Sequence, residues 1–324
     1  MTAPVCLISG VGPGTGSALA RRFAAGGYRV ALLARNETRL AALEQQLPGA
    51  KAYRCDVSDP TQVETVASAV EHDLGSPTVV IHNAVGGAFG TFREIDPDIL
   101  NRNFQVNTMG LLYLARRFAP AMVDAGKGAI VATGNTSALR GKAGFAGFAP
   151  TKAAQRILAE AMARDLGPRG VHVAYLVIDA VIDLEWTRKR WPERPDDFFI
   201  KPQAIAEEVW HVAHQDRSAW SFNVEISRSA KPGRRSGQFM RAKGEFDVAQ
   251  EAHGLRCNAR GACRGSGPRP NPGHFGIGDQ GRGDIPVQRP GISAQQCRQG
   301  SRRLRPLRQR SRRRQRPQDQ SHHL

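Results

Sequence analysis

The chain is 324 residues long, 40% of them hydrophobic, and its formal charge of +17 is spread very unevenly. Residues 232–324 hold 20 Lys and Arg against 6 Asp and Glu, which puts +14 in that segment and only +3 in residues 1–231, so charge excludes the first part as a nucleic-acid-binding domain. The sequence shows no charged, apolar and small-residue leader pattern and no apolar run long enough to span a membrane, and the five cysteines, Cys6, Cys55, Cys257, Cys263 and Cys297, are odd in number and scattered; a cytoplasmic protein without a disulfide framework or a metal site is expected.

In chain order, the apolar run at residues 5–8 leads into SGVGPGTG and then into an Ala/Leu/Arg-rich stretch, the pattern of strand, tight turn and helix. The glycines divide the work. Gly10 permits the turn, Gly14 lets backbone approach a pyrophosphate, Gly16 allows tight helix packing, and amides of the helix beginning near Thr15 face the phosphates. A strand at 28–34, a helix at 37–47 and a strand at 50–55 follow, a strand-helix alternation that predicts a parallel sheet covered on both faces. After the second strand, where a dinucleotide site places an acidic residue on the ribose, stand Ala34 and Arg35. An arginine fork suits a 2'-phosphate, which favours NADP over NAD.

Asp56 begins a turn, caps the helix that starts near Pro60 or belongs to the site, and Asn83, after a strand at 79–82, is either a strand-end turn residue or part of the site. A long helix at 99–125 carries Asn107 among Phe104, Leu111 and Leu114, where a buried amide must find partners. His82 reads as a satisfied strand-end residue. Strands at 128–133 and 171–178 flank a helix at 149–166 whose packed face is expected to hold Ala154, Ile157, Leu158 and Ala161. Residues 179–202 read as a lid, with Trp186, Trp191, Phe198 and Phe199 as walls or anchors and Arg188 or Arg190 facing an anion or water. A helix at 202–214 and a strand at 220–226 complete an α/β, doubly wound Rossmann sheet of about seven strands in a single domain, residues 1–231.

These residues resemble the short-chain dehydrogenase/reductase family over residues 4–228. Ser9, Gly10, Gly14 and Gly16 match its Thr-Gly-x-x-x-Gly-x-Gly turn, Asp56 and Val57 its adenine pair, Asn83 and Ala84 the start of its Asn-Asn-Ala-Gly segment, and Asn107 its helix asparagine. The resemblance implies a nicotinamide-dependent hydride transfer on a carbonyl, alcohol or activated double bond, and a homo-oligomer paired through the helices at 99–125 and 149–166. It also implies a Tyr-x-x-x-Lys pair with a serine thirteen residues before the tyrosine. Lys152 is retained, but Phe148 holds the tyrosine position and Asn135 the serine position.

The implied lysine holds the nicotinamide ribose and lowers the tyrosine pKa, the tyrosine exchanges the proton, and the serine steadies the substrate oxygen. Phe148 has no proton to give, and a positioned general acid is worth roughly 100- to 10,000-fold. The alternative tyrosine position of some enoyl reductases, seven residues before the lysine, is Phe145. Thr133, Asn135, Thr136, Ser137 and Thr151 lie close by, and Asn135 suits a neutral donor to a substrate oxygen. Two functions stand side by side: an oxidoreductase with another proton source, such as water relayed by Asn107, and an NADP(H)-binding regulator or assembly partner without turnover.

The segment 232–324, rich in Arg, Gly and Pro, has no sustained period and is expected to be disordered. Its run from Arg302 to Arg316 could bind nucleic acid or an anionic surface, or act as an interaction arm. Alternatively it is the product of a reading-frame shift in a GC-rich gene, because the family-like sequence stops near Ser227.

Overall fold

The structure, a computed structural model, describes residues 2–228; everything expected of residues 232–324 lies outside the described residues. Its centre is a sheet of strands β1 (Val5–Ser9), β2 (Arg29–Ala34), β3 (Ala50–Arg54), β4 (Val79–His82), β5 (Gly128–Asn135) and β6 (Val171–Asp179), closed at one edge by a last strand, Asn223–Ser227. The spatial order is β3-β2-β1-β4-β5-β6 and then that last strand, with every neighbouring pair parallel. The order reverses between β1 and β4, and in open α/β sheets the crevice outside the carboxyl ends of the strands at such a reversal is where ligands bind.

Alternate residues of each strand feed two cores. Val5 and Leu7 of β1, with Val173, Tyr175 and Val177 of β6, pack on one face. There they meet helices α3 (Pro60–Leu74), α5 (Gly110–Asp124) and α6 (Ala149–Leu166) through side chains such as Val63, Leu114, Phe118 and Ala159. Cys6 and Ile8 with Leu176 and Ile178 face helices α1 (Thr15–Ala25), α2 (Glu37–Glu44) and α8 (Pro202–Ala213) through Leu19, Phe23, Leu40, Ile205 and Val209. Burying both faces is why these strands read as nearly unbroken apolar runs.

The departures from expectation are local. The predicted helix at 99–125 is interrupted: α4 (Pro97–Phe104) and α5 are separated by a π-helical turn at Gln105–Met109, in which Asn107 is fully buried. Tyr28 stays outside β2, its ring edge-on to Phe23 and Trp210. The α6 face turned inward is Thr151, Lys152, Gln155 and Ala159; of the apolar set read from the sequence Leu158 packs, partly buried, against the core, while Ile157 is 60% exposed. Apolar spacing failed here because the polar side chains on the inward face have internal partners. The predicted 220–226 strand begins only at Asn223, as Trp220 is stacked on His172.

The 179–202 segment has structure of its own, with β7 (Val181–Ile182), α7 (Glu185–Arg190) and β8 (Phe199–Ile200). Arg188 is engaged by Asp183 at 2.7 Å and Asp196 at 2.6 Å and lies over the Phe199 ring. Its charge is therefore spent on pinning the segment, and the expected contact with a substrate anion gives way to an anchoring role. Among the described residues no helix is long and apolar enough to cross a membrane.

Candidate active site

The crevice outside the carboxyl ends of β1, β4 and β5 gathers most of the residues singled out above. Gly10 has φ +79°, and a Cβ there would stand 2.4 Å from the backbone N and Cα of Ala84. Gly16 is equally constrained, since its Cβ would meet the Gly10 carbonyl oxygen at 2.5 Å. These two positions let the turn close under the first amides of α1, which no side chain caps; unsatisfied amides and the helix dipole make such an end attractive to phosphate. Gly14, at the helix start, lies under Leu184, whose Cδ2 would be 2.2 Å from an added Cβ. The lack of a side chain at Gly14 is thus what lets Leu184 pack against the helix start.

Ser9 is turned into the sheet and not into the crevice. Its hydroxyl lies 2.9 Å from Nδ1 of His82, whose Nε2 is 3.1 Å from the Val106 carbonyl oxygen, and burial pushes the His82 pKa down to about 3. A neutral ring that donates from Nε2 to Val106 and accepts from Ser9 satisfies both contacts. His82 is thereby a structural link, as its sequence position suggested. Asn83 is more than a turn residue, because its Nδ2 donates to the Gly10 oxygen at 2.9 Å and its Oδ1 accepts from Thr133 at 3.0 Å. One side chain ties the ends of β1, β4 and β5 together.

At the outer end of β2, Arg35 is exposed and its Nη1 lies 3.9 Å from Asp56. A pair that long and that solvated holds neither side chain firmly. Asp56 also accepts from the Ser58 amide and hydroxyl, while the α3 cap is Asp59, which accepts from the Thr61 and Gln62 amides. The alternative reading of Asp56 as that helix cap is therefore replaced. Val57 is buried beside Gly110, where an added Cβ would touch it at 3.1 Å.

Asn107 is saturated by its surroundings. It accepts from the Gly86 amide at 3.0 Å and donates to the Gly86 oxygen and to the Thr151 hydroxyl, each at 2.8 Å. From within the π turn it clamps the segment after β4 to the start of α6. Lys152, 3% exposed, donates to the Thr133 oxygen at 3.2 Å and to Gln155 Oε1 at 2.9 Å, and burial lowers its pKa to about 7. Asn135 accepts from the Ser137 amide at 3.0 Å and so starts the short turn after β5.

Phe148 is 6% exposed, and its ring centroid lies 5.7 Å from that of Phe89, which is edge-on to Phe145 at 5.1 Å. Both positions at which a tyrosine was sought thus belong to one aromatic wall. Sequence reasoning missed Gln155 and Tyr175, which lie behind Lys152. The available signals were a glutamine three residues after the lysine on an inward face, and a lone phenol in the apolar middle of the strand VHVAYLVID. Among the described residues no group of three or more His, Cys, Asp or Glu side chains is placed to hold a metal ion.

This arrangement has known counterparts. The sequence pattern of the short chain dehydrogenase family matches residues 4–191, and the chain belongs to that family. Meso-2,3-butanediol dehydrogenase of Serratia marcescens is 31% identical over 225 residues, 66% of this chain and 88% of that protein. Epidermal retinol dehydrogenase 2 of Mus musculus is 31% identical over 163 residues, 49% of this chain, and the match spans about half of that relative, 53% of its length. Among solved structures, a metagenomic short-chain oxidoreductase in complex with NADP is 26% identical, with a TM-score of 0.62 over 71% of this chain and 99% of its own.

Proposed function

We propose that this chain is an NADP(H)-dependent oxidoreductase that transfers a hydride to or from a small carbonyl, alcohol or activated double-bond substrate. The observation that carries the reading is the glycine cradle: at Gly10 and Gly16 any Cβ would collide with backbone, in the crevice where the sheet order reverses. Such a cradle fits a diphosphate. Gly10, Gly14 and Gly16 would hold it, Asp56 and Val57 the adenine, Asn83 and Ala84 the far side of the crevice, and Lys152 the nicotinamide ribose. Arg35, only loosely paired with Asp56, is available to a 2'-phosphate. Bound NADP(H) supplies or accepts the hydride.

The chain's own contribution to chemistry is positioning. Asn107 fixes Gly86 and Thr151, Asn135 has its amide NH2 to offer a substrate oxygen, and Phe148 with Phe89 and Phe145 forms an apolar wall that keeps water off one side. The proton comes from solvent rather than from a phenol at position 148. The same aromatic wall also favours a second reading, an NADP(H)-binding regulator without turnover. The exposed Ile157 on the outer side of α6 supports a homo-oligomer paired through α5 and α6.

Calorimetry with NADPH and with NADH, followed by absorbance assays of NADPH oxidation over a carbonyl panel, separates the readings. Heat with NADPH and turnover of a panel member supports the enzyme; heat without turnover supports the regulator; no heat with either dinucleotide removes both.

A further inference from the structure

Lys152 is braced from behind by a buried polar chain. Gln155, fully buried and three residues on along α6, accepts with Oε1 from the Lys152 ammonium at 2.9 Å and from the Tyr175 hydroxyl at 3.3 Å. Tyr175 is fully buried on β6, and its hydroxyl also lies 3.3 Å from the Lys152 main-chain oxygen. An amide oxygen has two lone pairs, and both are directed at donors. Turning the amide over would aim its NH2 at the Lys152 ammonium, which offers only donors, so its orientation is settled. The opposite end of the same amide, Nε2, is buried with no hydrogen-bond partner. Leaving a buried donor unpaired is costly, and an apolar residue of similar shape would fill the space without that cost.

We propose that Gln155 and Tyr175 are positioning residues for Lys152: the tyrosine hydroxyl holds the glutamine, and the glutamine oxygen fixes where the ammonium points and stabilises its charge. The inference rests on the reading of Lys152 as the ribose ligand. Of the three ammonium donors, two are committed to Thr133 and Gln155, which leaves one for a ligand and defines its direction. Burial is the cause of the lowered Lys152 pKa, and the ionisable side chains nearest the chain are His82 on β4, held neutral, Tyr175 on β6, whose own pKa is raised by burial, and Arg156 on the adjoining turn of α6. Two neutral oxygens therefore carry the work of keeping the amine charged near neutral pH.

The test uses the full chain and the variants Gln155→Met, Gln155→Glu and Tyr175→Phe, with Lys152→Met to assign the signal. Lysine side-chain NMR of the ligand-free protein reads the Lys152 titration, and calorimetry reads NADPH affinity. Gln155→Met is expected to lower the Lys152 midpoint by about one pH unit and to weaken NADPH about tenfold at pH 7, as loss of a hydrogen bond to a charged group implies. Tyr175→Phe should move both in the same direction by less, and Gln155→Glu should raise the midpoint. Tyr175→Phe keeps the ring in place and carries the test if Gln155→Met does not fold. An unmoved Lys152 midpoint in a folded Gln155→Met or Tyr175→Phe protein overturns the brace. Shifted midpoints together with no NADPH heat from the wild type support the brace and remove the cofactor reading.

Discussion

The Tyr175 hydroxyl lies where a Cβ on Gly134 would be, 2.1 Å from that position. Gly134 sits in β5 paired with Val177 of β6, so the glycine exists to admit a ring from the neighbouring strand and not to permit an unusual backbone angle. Gly134→Ala is expected to destabilise the domain by about 1–3 kcal/mol through overpacking. Thermal or urea unfolding reads the loss, and Gly134→Ala combined with Tyr175→Val should lose less than the two single changes together.

Asn107 makes three internal hydrogen bonds from a π turn. Asn107→Leu leaves the Gly86 amide and carbonyl and the Thr151 hydroxyl to find other partners. A cost of roughly 2–4 kcal/mol is expected from the unmet polar groups, measured as a lower urea midpoint. An unchanged midpoint would show that the clamp contributes nothing to stability.

Lys152 also gives the fold a pH dependence whose sign can be worked out. Its ordinary pKa of 10.5 is lowered to about 7 in the fold, so between those values the unfolded chain holds more protons than the native one. Stability from this group is therefore lowest below pH 7 and rises as pH increases towards 10.5. Cys6, Cys55, Tyr53 and Tyr175 have raised pKa values and act in the opposite sense from about pH 8 upward, and they cancel when wild type is compared with Lys152→Met over the window pH 7–9. Across it, wild type should gain about 2–3 kcal/mol relative to Lys152→Met. Urea melts of both proteins at the two ends of the window provide the comparison.

Arg35→Ala should weaken NADPH binding about tenfold, the scale of a charge-assisted contact, and leave NADH binding as it was. Equal weakening of both dinucleotides, read by calorimetry, would remove the assignment of Arg35 to the 2'-phosphate.

Introducing Phe148→Tyr together with Asn135→Ser tests the missing acid. If the pocket is otherwise a dehydrogenase site, NADPH-dependent carbonyl reduction should rise by about 100-fold or more. No gain in a variant that binds NADPH normally would assign the aromatic wall of Phe89, Phe145 and Phe148 to another purpose.

Strand positions were legible because strands buried on both faces leave unbroken apolar runs, and the glycine turn because Gly10 and Gly16 answer to backbone contacts that no other residue tolerates. That position 148 is a phenylalanine and position 152 a lysine could likewise be read directly. The break in the 99–125 helix could not. Its cause is Asn107 reaching Gly86 and Thr151, twenty-one and forty-four residues away along the chain.

The amino-acid order by itself determined the alternation of strands and helices, the glycine turn and the absence of a phenol at position 148, since each depends on local periodicity or on the chemistry of one side chain. Tertiary structure alone decided that α6 turns Lys152 and Gln155 inward while Ile157 faces out, and that Ser9 serves His82 and not the crevice. Those outcomes depend on which polar atoms from distant strands arrive to satisfy a buried side chain. Hydrogen-bond satisfaction across the sheet is a property of the assembled fold, and no spacing within a single segment encodes it.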